Sequence, residues 1–254
     1  MTYCLHLAHC YPSHMSIYGD RGNVIALVQR CAWRGIALDV TPIEPGDAVD
    51  WSSFDLAFFG GGQDSGQALI VQDLFERQRV GFCAAIEADL VLLAICGGYQ
   101  LLGNYFLTHT GERLPGLGIL DLHTVGGKQR LIGNVVVEAT FGHGPPVHLV
   151  GFENHSGRTY HGPGVRSLGR VVVGHGDNGE DGVGGSVYRN TYGCYLHGSL
   201  LPKNPQLTDH LIRLALQRRY GSEAKLPPLE ARLEMHAQQT MLKRLLPRRL
   251  FRRS

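Results

Sequence analysis

The sequence is short of the features that usually assign a protein to a partner or a compartment at first sight. Its 24 Lys and Arg nearly balance its 22 Asp and Glu, and the formal net charge of +2 gives no support for nucleic-acid binding. No window approaches the roughly 18 uninterrupted apolar residues of a membrane span. The start MTYCLHLAHCYP has no basic stretch ahead of a long apolar one. We therefore expect a soluble, cytoplasmic protein.

Motifs for nucleotides and metals are absent as well. GxxxxGK[ST] does not occur, and the glycine-rich GGGQDSG differs from GxGxxG, which argues against a nucleotide site in this chain. The six cysteines, at positions 4, 10, 31, 83, 96 and 194, show no CxxC spacing. This pattern is typical of reduced, cytosolic thiols and not of a disulfide framework or a zinc site. No metal and no cofactor are expected in this chain.

The charged residues are unevenly distributed along the chain, although its net charge is close to zero. Residues 243–254, KRLLPRRLFRRS, carry six basic groups and no acid, so the remainder of the chain has a net charge of −4. This basic tail is either a frayed, solvated terminus or a peripheral contact with an anionic membrane surface. The second interpretation would place the protein at the inner face of the cell membrane, and the sequence leaves both open.

Apolar periodicity in the first hundred residues predicts strands that alternate with helices. The candidate strands are TYCLHLAH, IALDVTPI, FDLAFFG and VLLAIC. Helix-periodic segments, NVIALVQRCAWRG and QALIVQDLFERQRVGFCAAIEAD, follow the first and the third of them. A continuous apolar strand such as VLLAIC is typical of a sheet covered on both faces. We therefore predict an α/β fold with a doubly wound, flavodoxin-like, mostly parallel sheet.

The second half of the chain has a different pattern. Its β-like segments are LGILDLHTV, RLIGNVVVEAT, VHLVGFENH, GRVVVGHG and SVYRNTYGCYLHG. They predict extra strands, some of them antiparallel, around one edge of the sheet. TDHLIRLALQRRYG is an amphipathic helix, and the segment after it predicts a peripheral helix. We expect one domain over residues 1–222 and a helical extension with the basic tail over 223–254.

VLLAICGGYQ is the segment that most clearly points to chemistry. A buried strand, a sharp turn and a helix would place the sulfur of Cys96 above the carboxyl edge of the sheet, where open α/β sheets bind ligands. Gly97 and Gly98 would admit the close backbone of such a nucleophile elbow, and a helix N-terminus favours a thiolate. The alternative is a buried, inert cysteine, for which the flanking glycines would be unnecessary.

A nucleophilic cysteine needs a base and donors for an oxyanion. His197, in TYGCYLHGSL, ends a candidate strand and could reach Cys96 across the same sheet edge, although strand-end histidines are common on surfaces. In FFGGGQDSG, Gly60, Gly61 and Gly62 lie between a strand and a helix, where backbone N–H groups can stabilise a developing negative oxygen. A phosphate loop is the competing interpretation of that glycine cluster.

Four motifs in order carry a family resemblance: FFGGGQDSGQ, AICGGYQLLG, GFENHSGRT and YLHGSLLPKNP. Together they resemble a class I glutamine amidotransferase domain of the cobyric-acid-synthase-like branch. With HCYPSHMSIYGDRGN at the start, the chain is similar in particular to the family of glutaminase subunits of lipid II isoglutaminyl synthases. The resemblance covers residues 3–220.

The resemblance implies a reaction and residue roles. Cys96 would attack the side-chain amide of L-glutamine and form a γ-glutamyl thioester, while His197 would move the proton from the thiol to the leaving ammonia. Gly61 and the amide after Cys96 would hold the oxyanion, and Gln100 would lie near the glutamine pocket. Arg130, in KQRLIGN, matches the arginine that binds the substrate, because a guanidinium suits an α-carboxylate.

One position departs from the pattern of many class I amidotransferases. These proteins have a glutamate two residues after the histidine, and this chain has Ser199 there. We hypothesise that a carboxylate of a partner subunit orients His197 instead.

The motif GFENHSGRT contains a polar cluster, Glu153, Asn154 and His155. The cluster shapes either the site or the partner surface, or it forms a hydrogen-bonded turn. His155 is the competing candidate for the base.

The resemblance also implies a partner. A Mur-ligase-like synthetase subunit, with ATP and magnesium bound to it, would form a heterodimer with this chain. It would amidate the D-glutamate α-carboxylate of lipid II to D-isoglutamine during peptidoglycan biosynthesis.

Two alternative functions remain. One is an amidotransferase that serves another acceptor such as a corrinoid, although such proteins usually carry an amino-terminal nucleotide-binding domain. The other is a non-catalytic, partner-binding module.

Overall fold

A computed structural model describes residues 3–142 and 144–246, without the side chains of residues 64 and 65. Most of the basic tail, residues 247–254, lies outside the described residues. No helix in the described part of the chain is long and apolar enough to cross a membrane.

The fold is organised around a seven-stranded sheet. Its strands in spatial order are β2 (Ala37–Ile43), β1 (Cys4–Cys10), β3 (Leu56–Phe59), β4 (Val91–Ile95), β12 (Thr191–Cys194), β11 (Ser186–Tyr188) and β9 (Arg166–Ser167). The first five run parallel, β11 pairs antiparallel with β12, and β9 pairs antiparallel with β11. This order is the flavodoxin-like, doubly wound arrangement, so the predicted fold class is confirmed.

Helices cover the sheet and close its core. They are α1 (Arg21–Ala32), α2 (Asp64–Asp73), α3 (Arg79–Glu87), α4 (Gly97–Leu102), α5 (Leu200–Lys203), α6 (Pro205–Tyr220) and α7 (Arg232–Leu245). Every residue of β3 and β4 is buried, as a central strand with both faces covered requires. The long helix predicted after β3 is divided, because a π-helical turn, Leu74–Gln78, joins α2 to α3. A short 3₁₀ turn, Trp51–Ser53, precedes β3.

The prediction of extra strands at one sheet edge in the second half is confirmed for β12, β11 and β9, but the other strands of this half lie elsewhere. Five strands form a separate sheet: β10 (Gly169–Val173), β7 (Leu122–Ala139), β5 (Tyr105–Leu107), β6 (Arg113–Pro115) and, paired with β7, β8 (Val147–His161). The two strands predicted over 117–140 are largely one strand, β7, whose register with β8 breaks between Gly126 and Leu131. This irregularity contains Arg130, and such bulges redirect side chains.

The last described helix packs against the body. The Gln238 side chain is 3% exposed and donates to His148 O at 3.2 Å and to Asn204 Oδ1 at 2.9 Å. Arg30 Nη1 donates to Glu234 Oε1 at 2.9 Å. Since buried polar groups and charges stabilise a contact only when they are paired, these bonds fix α7 in place.

Candidate active site

Cys96 lies at a strained turn between β4 and α4. Its φ of 50° and ψ of −105° are uncommon for a residue with a side chain and are the geometry of a nucleophile elbow. A Cβ on Gly98 would lie 2.7 Å from Phe59 O, and one on Gly97 would lie 2.8 Å from Gly62 N. Both glycines are therefore needed for the close approach of the elbow to the loop after β3.

His197 reaches the same sheet edge from the neighbouring strand. Cys194 at the end of β12 pairs with Ile95 at the end of β4, so the segments that follow both strands emerge together. His197 N donates to Phe152 O at 2.7 Å and His197 O accepts from Phe152 N at 3.1 Å. These two backbone bonds hold the residue, and its side chain is fully buried.

The chain itself supplies a carboxylate for His197, in contrast to the hypothesis that a partner subunit provides it. Asp20, in the turn before α1, has its Oδ1 3.4 Å from His197 Nδ1, and both side chains are fully buried. Ser199 has its hydroxyl turned away, toward Gly19 O. Because Asp20 engages Nδ1, Nε2 is the nitrogen left to exchange a proton with Cys96.

The electrostatics of this cluster favour the imidazolium form of His197. Burial alone would lower the pKa of His197, but the electrostatic influence of the nearby Cys96 and Asp20, together with the contact between Asp20 and Nδ1, outweighs it and raises the pKa well above its ordinary value. A protonated His197 could donate that proton to a leaving group.

The Gly61 amide, predicted to bind the oxyanion, is occupied in this structure. Gly61 N donates to Asp20 Oδ2 at 2.6 Å. Within the described residues, the amides of Gly62 and Gly97 donate no hydrogen bond, and these two groups flank the elbow. With Gly61 N engaged by Asp20, the amides of Gly62 and Gly97 are the two candidate oxyanion donors beside Cys96.

A cavity of about 430 Å³ opens beside Cys96 and is lined by Arg130, Gln100 and Gly62 among others. Arg130 Nε donates to Asn154 Oδ1 at 2.7 Å, and its Nη2 donates to Asn154 O at 2.8 Å and to Tyr18 OH at 3.2 Å. These bonds orient the guanidinium and leave Nη1 for a carboxylate.

Gln100 belongs to a buried chain of hydrogen bonds in the cavity wall. Its Oε1 accepts from Gln67 Nε2 at 2.9 Å, and its Nε2 donates to Tyr195 OH at 3.0 Å. Tyr195 OH continues to Thr159 Oγ1 at 2.6 Å. Gln100 therefore lines the predicted pocket, but both ends of its amide are held by the protein.

The cluster Glu153, Asn154 and His155 divides into three tasks. Glu153 is fully buried and accepts from the backbone N–H groups of His175 and Gly176 at 2.7 and 2.9 Å, so it fixes a turn. Asn154 holds the Arg130 guanidinium. His155 lines the cavity, but burial lowers its pKa to about 3. Asp20 contacts His197 and not His155, which favours His197 as the base.

Asp20 is the residue that sequence reasoning missed. The only signal was its place in YGDRGN, inside the amino-terminal segment that supported the family resemblance. An acidic residue before a helix is ordinarily interpreted as a cap, yet the Asp20 side chain makes no capping hydrogen bond.

These features define a cysteine-dependent hydrolase on a doubly wound sheet. Residues 6–205 match the model of the CobB/CobQ-like glutamine amidotransferase domain. The chain is 40% identical over 241 residues to "Lipid II isoglutaminyl synthase (glutamine-hydrolyzing) subunit GatD" of Staphylococcus aureus (strain N315), a match that spans 94% of this chain and 96% of that protein. The protein of the same name from Streptococcus pneumoniae (strain ATCC BAA-255 / R6) is 38% identical over 234 residues, with 90% and 86% covered.

The chain therefore belongs to the CobB/CobQ-like glutamine amidotransferase family, and the predicted resemblance is confirmed. Among solved structures, PurLQS from Thermotoga maritima is similar with a TM-score of 0.55 and 16% identity, and the match covers 95% of this chain and 100% of that one. At this identity the likeness concerns the fold alone. The family membership makes the chain a glutamine-hydrolysing enzyme.

Proposed function

We propose that this chain is the glutaminase subunit of a lipid II isoglutaminyl synthase. It hydrolyses L-glutamine at Cys96 and delivers the ammonia to a Mur-ligase-like synthetase subunit. That partner amidates the D-glutamate α-carboxylate of lipid II to D-isoglutamine. Support for the hydrolysis comes above all from one arrangement, Cys96 at its strained elbow beside His197, whose Nδ1 is engaged by Asp20. Support for the acceptor comes from the similarity to the two bacterial relatives, both of which are subunits of lipid II isoglutaminyl synthases.

The cavity offers a place for each part of glutamine. Arg130 Nη1 binds the α-carboxylate, since a guanidinium pairs well with a planar anion. This contact directs the side-chain amide of the substrate toward Cys96. The sulfur attacks the amide carbon, and the carbonyl oxygen that becomes negative is received by the N–H groups of Gly62 and Gly97.

His197 carries the proton through both halves of the reaction. Its Nε2 holds the proton of the Cys96 thiol and donates it to the nitrogen of the tetrahedral intermediate, which leaves as ammonia. A γ-glutamyl thioester remains on Cys96. His197 then takes a proton from water, the hydroxide attacks the thioester, and glutamate departs as the sulfur is released. Glutamine and water are thus converted to glutamate and ammonia.

Amide formation at the acceptor requires an activated carboxylate, which glutamine hydrolysis does not supply. ATP and magnesium on the partner subunit provide this activation. Because free ammonia is lost to solvent and protonated near neutral pH, the two subunits form a heterodimer in which ammonia passes between them. The acceptor lipid II is bound by the partner.

The basic tail adds a membrane contact to the proposal. Residues 1–222 form the amidotransferase domain, and the extension 223–254 ends in the six basic groups that can bind anionic lipid headgroups. The complex would then work in the cytoplasm at the inner membrane face, where its lipid-linked substrate is located. Deletion of residues 247–254 should reduce sedimentation with vesicles that contain anionic lipid and leave glutamine hydrolysis unchanged. Equal sedimentation of both forms would remove this part of the proposal.

A reconstituted complex tests the main proposal. The chain is purified with its co-purifying synthetase, and glutamate release and lipid II amidation are measured with glutamine or with ammonium chloride as nitrogen source. Cys96→Ala should abolish both activities with glutamine and retain amidation with ammonium. Full glutamine-dependent activity in Cys96→Ala would overturn the proposal, and glutamate release without any amidation would exclude lipid II as the acceptor.

A further inference from the structure

Two hydrogen bonds join the segment after His197, which runs into α5, to the turn that carries Asp20 and the start of α1. Ser199 Oγ donates to Gly19 O at 2.6 Å. Leu201 N donates to Asn23 Oδ1 at 2.8 Å, and Asn23 is completely buried. The loop that follows His197 therefore also holds the turn from which the Asp20 carboxylate reaches the imidazole.

The turn is shaped around the Ser199 side chain. A Cβ on Gly22 would lie 2.2 Å from Ser199 Oγ and 2.8 Å from Ser199 Cβ, so only glycine fits at position 22 while Ser199 is in place. Ser199 itself has a φ of 52°, a conformation that is strained for a residue with a side chain and relaxed for glycine. In this strained conformation the Ser199 hydroxyl makes a hydrogen bond, because it donates to Gly19 O.

The Asp20 carboxylate needs such support because its two contacts are unequal. Oδ2 accepts from Gly61 N at 2.6 Å, whereas Oδ1 lies 3.4 Å from His197 Nδ1. The second distance is near the outer limit of a hydrogen bond. A small displacement of the Asp20 carboxylate would therefore lose the contact with His197 before the bond to Gly61.

We propose that Ser199 is a positioning residue for glutamine hydrolysis: by binding Gly19 O, its hydroxyl fixes Asp20 against His197 Nδ1. The inference rests on the proposed hydrolysis at Cys96. Ser199 touches no reacting atom, and its effect passes entirely through Asp20. The competing account, a purely structural link between two loops, makes different predictions for kinetics.

A double-mutant cycle separates the two accounts. Ser199→Ala, Asp20→Asn and the double variant are compared in the full complex for kcat and KM with glutamine. Ser199→Ala should lower kcat by about three- to tenfold, the effect of one hydrogen bond, with little change in KM. In the Asp20→Asn background the same substitution should have no further effect, because residues that act as a unit are not additive.

Ser199→Gly is the second variant. Glycine relieves the positive φ, so this variant should be at least as stable as Ser199→Ala in thermal unfolding, yet its kcat should be equally low. Ser167→Ala is the matched control, since Ser167 Oγ donates to Gly169 O at 2.8 Å in an exposed segment at the far edge of the sheet, and it should leave kcat unchanged.

Each other outcome contradicts the proposal. Unchanged kcat in both Ser199 variants would show that the hydroxyl is not needed. An equal loss in the parent background and in the Asp20→Asn background would mean that Ser199 acts independently of Asp20. Recovery of kcat in Ser199→Gly would leave only a structural role. If the unsubstituted complex releases no glutamate from glutamine, the proposed function fails and not the role of Ser199. The activity of the unsubstituted complex therefore distinguishes the two failures.

Discussion

Asp20 and His197 are separated by 177 residues, and their Oδ1 and Nδ1 atoms lie 3.4 Å apart in the interior of the protein. The turn before α1 and the loop after β12 meet because parallel strands direct their carboxyl-terminal loops to one edge of the sheet. The contact completes a Cys–His–Asp cluster within a single chain. Ser199 occupies the position two residues after His197, and the carboxylate beside the imidazole is that of Asp20.

Asp20→Asn should lower kcat about 100-fold or more, with a smaller change in KM. The side chain keeps its size and an oxygen for the Gly61 amide, but it loses the charge that orients and stabilises the imidazolium, a loss that costs up to about 10⁴ in hydrolases with a comparable acid. Steady-state glutamate release from the complex measures the effect.

Asp55→Asn is the control for this prediction. Asp55 is also a buried carboxylate, and it accepts from His6 N at 2.9 Å and from Arg219 Nη1 at 3.1 Å. Its substitution should reduce thermal stability without a comparable loss of kcat. An Asp20→Asn complex with full kcat would contradict the role of Asp20 in orienting His197 and would favour a carboxylate of the partner subunit.

Local sequence patterns were sufficient to predict the candidate site residues that lie at strand ends. Cys96 and His197 each follow an apolar strand and precede glycine, and the structure places both at the same sheet edge. Asp20 could not be found in this way, because its task depends on a contact across 177 residues. Gly61 and Gly62 are indistinguishable in sequence, and only the Asp20 carboxylate at Gly61 N decides which amide is free.

In the fold, too, local elements were predictable from the sequence and long-range strand pairing was not. The strands β1 to β4 were recognisable from their apolar composition, which is what a covered sheet requires. The separate sheet depends on the long pairing of β7 with β8, which is a choice of register between distant segments. Periodicity reports which faces are apolar and does not report which strand is the neighbour.

Arg130→Lys should raise KM for glutamine about 10- to 100-fold and change kcat much less. Lysine keeps the charge but lacks the planar fork, so it cannot keep the bonds to Asn154 that orient the guanidinium toward the carboxylate. An interaction made equally in ground and transition states changes KM alone. The matched control is Arg170→Lys, because Arg170 is exposed and pairs with Glu138 at 3.1 Å. A loss of kcat at unchanged KM would contradict substrate binding by Arg130.

Gly98→Ala should destabilise the protein and abolish hydrolysis. The added methyl group would lie 2.7 Å from Phe59 O and 2.9 Å from Gly60 O, both of them backbone atoms, so the elbow and the loop after β3 must separate. Overpacking of this kind costs about 1–3 kcal/mol, and the separation moves Cys96 away from Gly62. Thermal unfolding and glutamate release measure the two effects. Gly164→Ala, where a Cβ meets nothing within 4 Å, should be neutral in both.

The stability of the protein should fall on acidification, in part through His155. Burial lowers the pKa of His155 from 6.5 to about 3, while in the unfolded chain it titrates near its ordinary value. Between these two values the unfolded state binds a proton that the folded state does not. The free energy of unfolding therefore decreases as pH falls from about 6.5 toward about 3, by at most about 1.4 kcal/mol per pH unit for this group.

Urea unfolding at several pH values compares the parent with His155→Gln, in which this titration is removed. The variant should lose stability less steeply below pH 6.5, whatever its stability at neutral pH. His236→Gln, a change at an exposed histidine of α7, should retain the parent slope. His210, whose pKa burial lowers to about 4, accounts for part of the slope that remains. Parallel curves for the parent and His155→Gln would mean that His155 is protonated in the folded protein, contrary to its burial against Tyr195.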